Sequence, residues 1–246
     1  FQCVVYFWQG RDASNMGWFT FTFGLQKKFE SMFGEKLEVI RTHQQQENLK
    51  FLSHFQGKFI IHQGKRPAKE FNEEHSKVEF FHLRSNSNPI TLRCIEINAD
   101  SANLNSGFCY ILKLPLDLTK EMSTAYVWIG SKADEYEAKL AEEIVLQMCD
   151  SDYYTVSIIN EDEEPEDFWL HLGGKKDYEK DASFMQFTRL FRCSNDKGYF
   201  SVSEKCSDFC QDDLADDDIM ILDNGTQVFI WVGSRCSEVE IKLAYK

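Results

Sequence analysis

The stretch YVWIG (residues 126–130) decides the fold, because it returns as YFWQG (6–10) and as FIWVG (229–233). Each copy reads as a buried strand that ends on a glycine able to make a tight exit. Helix-like sequence follows all three, from Ser14, from Asp134 and from Ser237. A second shared block lies beyond the helix. NLKFLSHFQGK (48–58) and PEDFWLHLGGK (165–175) carry Phe, His, Gly and Lys at matching offsets. A third block precedes the Trp strand, where Phe81 to Leu104 and Phe191 to Leu214 have the same spacing. Three anchors in one order mean tandem copies of a domain of roughly 100 residues, a period too long for a solenoid.

The expected organisation follows. Residues 1–67 form the C-terminal half of one copy, 70–178 a complete copy, and 185–246 a third that stops in its long helix. The chain opens on Phe1 and reads as a piece of something longer. The charged stretches 65–77 and 175–186 read as linkers. In the complete copy, strands are expected at 78–83, 91–97, 108–112, 125–129 and 155–159. Residues 134–148 carry a helical apolar stripe, and Pro165 opens a short helix. The fold class is α+β, a central sheet between a long and a short helix.

Composition bounds the function. Of 246 residues, 43% are hydrophobic and 27% charged, enough for a sizeable core. A net charge of −13 argues against direct nucleic-acid binding. No apolar run approaches the roughly 18 residues of a membrane span. The eight cysteines lack C-x-x-C spacing and read as reduced thiols. Nothing resembles a phosphate loop, a nucleophile elbow or a paired catalytic constellation, so a non-enzymatic role is expected.

The first long helix shows a core stripe of Trp18, Phe21, Leu25, Phe29 and Met32, with Ser14 as N-cap and Gly34 as terminator. Phe19 and Phe23 fall off that stripe, near Gln26 and Glu30 and with Lys27 in the next turn. Two readings stand for them, a docking face or burial against a neighbouring repeat. FTFTF (19–23) also alternates as a strand would.

FWQGRDASNMGW, FLSHF, RLFRCSN, DLADDDIMILD and VFIWVG together resemble the gelsolin/villin superfamily, over nearly the whole chain. The resemblance implies tandem gelsolin-like repeats, each a mixed sheet between one long and one short helix. Within it, the branch that joins leucine-rich repeats to gelsolin-like ones fits best. That branch makes this segment the end of a fourth, all of a fifth and most of a sixth repeat. The implied role is actin binding at filament sides or barbed ends, with capping or severing. A protein-interaction scaffold with signalling or transcription partners is the alternative the same branch implies. Cytoplasmic, cytoskeleton-associated localisation is implied, with the nucleus as a second compartment.

The resemblance also implies calcium ligands. In the last repeat Asp217 would give its carbonyl, Asp218 its carboxylate and Glu240, on the helix, two oxygens; an acidic solvated loop is the bland alternative. In the middle repeat Gly107 and Glu137 remain, but Phe108 stands where the carboxylate is expected, so the site is degenerate. In the first repeat Gly17 occupies the helix position. Calcium control is therefore expected through the last repeat at most. Lys27, Lys28, Lys58, Lys65 and Arg66 suggest only weak phosphoinositide binding. His54 and His171 read as structural histidines.

Overall fold

A computed structural model describes the chain except residues 1–2, 12, 45, 65–76, 86–88, 117–121, 182–187, 196–197, 206–208 and 210. Lys65, Arg66, Cys206 and Cys210 thus lie outside the described residues.

The middle of the chain builds a six-stranded sheet in the order β3-β5-β4-β6-β7-β8. Its strands are β3 (Phe59–Ile61), β4 (Glu79–Arg84), β5 (Arg93–Ile97), β6 (Cys109–Lys113), β7 (Ser123–Ile129) and β8 (Tyr154–Asn160). The sheet is mixed, with β3–β5 and β7–β8 parallel and the other pairs antiparallel. Because side chains alternate along a strand, each one feeds two cores. Phe81, Ile111 and Val127 pack under helix α4 (Glu135–Met148) through its Ala141, Ile144 and Val145. Phe80, Tyr110, Leu112, Tyr126 and Trp128 pack under helix α5 (Glu166–His171) with Phe168 and Leu172. Asp134 caps α4 by accepting from the Tyr136 N–H, and acidic residues fill its first turn, as the helix dipole favours.

The flanking units repeat parts of this plan. In the first, β1 (Cys3–Gln9) pairs in parallel with β2 (Leu37–His43), as β7 does with β8. Trp8 Nε1 donates to Glu47 at 2.9 Å, and Trp128 Nε1 to Glu164 at 2.8 Å. A short helix α3 (Leu49–Ser53) follows, capped by Asn48. In the last unit the order is β10-β9-β11-β12, from β9 (Arg189–Ser194), β10 (Ser201–Glu204), β11 (Ile219–Asp223) and β12 (Val228–Val232). Helix α6 (Glu238–Ala244) follows.

Three expectations need correction. Residues 175–181 are no free linker. Tyr178 stacks on Trp169, donates its hydroxyl to Glu161 at 3.0 Å, and is followed by a bridge between Glu179 and Asn105. An aromatic ring in a polar run finds a core to bury in. Strand β3, from within the stretch assigned to the first unit, joins the middle sheet beside β5. The third correction concerns the first long helix. It runs as α1 (Met16–Thr20), a π turn (Phe21–Leu25) and α2 (Gln26–Phe33). Asn15, not Ser14, holds the N-cap position, although Ser14 Oγ still accepts weakly from the Met16 N–H.

The π turn explains why the expected stripe fails at Leu25 and Met32, both exposed. The Gln26 N–H reaches back to the Phe21 carbonyl, so one extra residue is wound into the turn. Everything beyond slips by about 100°. The inward face becomes Trp18, Phe21, Gln26 and Phe29, with Phe33 stacked on Phe29. Phe7, Trp18 and Phe21 form an aromatic triad with centroids 5.3 to 5.7 Å apart, and Arg41 lies over Trp18.

Candidate functional site

Two features concentrate chemistry, the loops that enter and leave the Trp strands and the outer face of α1. The loops of the middle and last repeats superimpose bond for bond. The Gly130 N–H donates to the Phe108 carbonyl and Lys132 N–H to Ser106; the Gly233 N–H donates to Asp218 and Arg235 N–H to Asp216. A Cβ on either glycine would overlap those same carbonyl oxygens, so no other residue fits without displacing the loop. Gly107 and Phe108 therefore stand in the places of Asp217 and Asp218. The turn after each glycine matches too, through Ala133 N–H to Gly130 and Cys236 N–H to Gly233. Glu137 and Glu240 then each lie three residues beyond the helix N-cap.

The side chains differ. Asp218 is buried and accepts from Arg192 Nε at 2.7 Å. Asp217 is exposed. Glu240 closes a capping box, its Oε2 accepting from the Ser237 N–H at 3.0 Å and hydroxyl at 2.7 Å. In the middle repeat His82 lies where Arg192 lies, opposite Tyr110 as Arg192 is opposite Met220. His82 stacks on Tyr110 and meets the Phe108 ring edge-on at 4.9 Å. Burial, aided by the Arg84 charge, lowers the His82 pKa to about 3, so the imidazole stays neutral. Arg84 also covers the Phe108 ring at 4.8 Å. Glu137 is buried, and its Oε1 accepts from the Ser85 N–H at 2.6 Å and hydroxyl at 3.0 Å. It pins the end of β4 to α4.

Calcium takes six to eight oxygens, commonly with a bidentate carboxylate. The last-repeat residues suit it in kind, with two carboxylates and a main-chain carbonyl, but the Arg192 guanidinium stands against a second cation. The middle repeat offers a phenyl ring at the decisive position. The partner position His82/Arg192 was missed from sequence, though the register anchored on Phe81 and Phe191 already aligned the two.

On the outer face of the first helix Phe19 and Phe23 are 48% and 75% exposed and stack at 6.4 Å. Lys27 is exposed; Gln26 is half-buried and donates to Glu30 at 2.9 Å. Thr20 and Thr22, at the start of the π turn, bond back to the carbonyls of Met16 and Trp18. The histidines differ in setting: His171 Nδ1 lies 2.8 Å from the Asp167 carbonyl, while His54 is exposed beside Tyr6. No disulfide occurs among the described residues.

The gelsolin repeat profile matches residues 93–169 and 200–246. The chain belongs to the gelsolin repeat family. It is 63% identical over 249 residues to flightless-1 of Drosophila melanogaster, covering all of this chain and 20% of that protein. The Homo sapiens flightless-1 homologue is 59% identical over 247 residues, with 100% and 19% covered. Gelsolin of Xenopus laevis is 33% identical over 247 residues, with 98% and 56% covered. The chain thus spans about a fifth of the length of its flightless-1 relatives. Among the described residues no helix is long and apolar enough to cross a membrane.

Proposed function

We propose that this segment is a non-enzymatic actin-filament-binding unit of the cytoskeleton that docks through the first long helix. The observation that carries the reading is the exposed Phe19–Phe23 stack. Two neighbouring aromatic rings in water cost free energy unless a partner covers them, and an amphipathic helix face is a standard insert for an apolar cleft. Capping or severing would be a property of the longer protein built on this contact. Calcium control is weak and confined to the last repeat through Asp217, Asp218 and Glu240, because Arg192 already neutralises Asp218. Phosphoinositides add at most a weak electrostatic contact through Lys27 and Lys28.

A second reading, an adaptor for signalling or transcription partners, is favoured by the middle loop, where aromatic contacts occupy the cation position. Cosedimentation with filamentous actin, with and without calcium, separates the two. The actin reading expects micromolar pelleting in both conditions and at least a tenfold weaker apparent Kd in Phe19→Ala/Phe23→Ala. No pelleting, or pelleting that the double variant leaves unchanged, contradicts it.

A further inference from the structure

Where β3 joins the middle sheet, three side chains able to ligate a metal converge. His62 follows the last residue of β3, Glu79 opens β4, and Glu96 sits in β5. Their nearest ligand atoms all lie within 4.8 Å of one another. His62 Nδ1 is 3.7 Å from Glu79 Oε1 and 3.5 Å from Glu96 Oε2. Ligands bound at about 2.0–2.2 Å to a tetrahedral zinc ion stand about 3.3–3.6 Å apart, so little movement is needed to admit one. Phe81 forms the floor, meeting the imidazole edge-on at 5.4 Å.

We propose that His62, Glu79 and Glu96 form a binding site for a zinc-class divalent cation. Both carboxylates are buried, at 8% and 4% exposure, while His62 is open to solvent and gives the ion a way in. Each carboxylate divides its two oxygens in the same manner. Glu79 gives Oε2 to Lys113 at 2.8 Å, and Glu96 gives Oε1 to Lys77 at 2.6 Å. The other oxygen of each faces His62. The Gln63 N–H fixes Glu96 Oε2 at 2.8 Å, the kind of outer-shell bond that orients a ligand. Hydrogen bonds from Lys77 and the Gln63 N–H to Glu96 favour its ionised form, the form a cation binds. One imidazole with two carboxylate oxygens suits zinc; calcium would want at least twice as many oxygens. A bound ion would fasten β3, which precedes residues 65–76, to the sheet built from the chain beyond them.

The lysines give the proposal a signature that a stray surface histidine cannot imitate. Lys77, more than half exposed, competes with the ion for Glu96. Titration of the 246-residue chain with zinc chloride, followed by calorimetry, is expected to show one saturable site. His62→Ala should weaken it at least tenfold, and Lys77→Met should tighten it several-fold. Both positions are largely exposed, and circular dichroism checks that each variant keeps the fold. Absence of saturable binding below about 100 μM zinc overturns the proposal. Zinc binding that His62→Ala leaves intact, or that Lys77→Met weakens, overturns it equally.

Discussion

The middle and last repeats thread the same backbone through the same glycine-gated loop and put opposite chemistry there. Around Gly130 the loop position is Phe108 and its cross-sheet neighbour is a neutral His82. Around Gly233 the same two places hold Asp218 and Arg192 in an ion pair. An aromatic contact has replaced a charged one without moving the main-chain hydrogen bonds. The fold is thus set by strand, glycine and helix, while two side chains that can change together set the charge of the loop.

The largest expected effect lies in the middle sheet. Trp128 is fully buried under Phe168 and Leu172, with its Nε1 on Glu164, so Trp128→Ala should cost about 3–5 kcal/mol. The urea unfolding midpoint of the variant checks this; a loss below about 1 kcal/mol would mean that α5 does not seal this face of the sheet.

The paired glutamates come next. Glu137 is buried and joins α4 to β4, so Glu137→Ala should cost about 3 kcal/mol, from a cavity and an amide left in need of an acceptor. Glu240 sits in a capping box at the surface, and Glu240→Ala should cost about 1 kcal/mol. Thermal unfolding of both variants sharpens the contrast, and a reversed order would break it.

A smaller, pH-dependent difference separates the middle unit from the first. Glu161 and Gln44 are equivalents: each backbone N–H bonds the last strand residue, Ile129 or Gln9, and each side chain accepts from the loop amide of Ser131 or Arg11. Burial raises the Glu161 pKa, but bonds from Ser106, Ser131 and Tyr178 prevail and bring it from 4.5 to about 2. A depressed carboxylate stabilises the fold above its unfolded pKa and loses that contribution as pH falls towards the folded one. Stability of the middle unit should therefore decline from about pH 4.5 to about 2, and Glu161→Gln should flatten the profile. Gln44 does not titrate, so Gln44→Ala should leave the slope unchanged. Acid titration followed by tryptophan fluorescence reads both.

Much of this was legible in the residues. The aromatic-x-Trp-x-Gly strands, the helix stripe from Ala138 to Met148 and the Phe81/Phe191 register announce repeats of one α+β unit, because burial on two faces of a sheet writes itself as alternation. The π turn was not, since FTFTF supports strand and helix alike, and a single extra residue in a turn leaves no compositional mark. Nor was the transfer of β3 to the middle sheet, or the anchoring of Tyr178, since charged neighbours hide a short apolar element. At the candidate sites the sequence could align Asp218 with Phe108, but Arg192 and the His62–Glu79–Glu96 cluster depend on which strands lie side by side.

The docking claim is tested most directly by hydrogen exchange of the 246-residue chain alone and saturated with filamentous actin. Docking through this helix predicts slowed exchange centred on Met16 to Phe33, around Phe19 and Phe23. Unchanged exchange there, with protection confined to the middle or last unit, would contradict it.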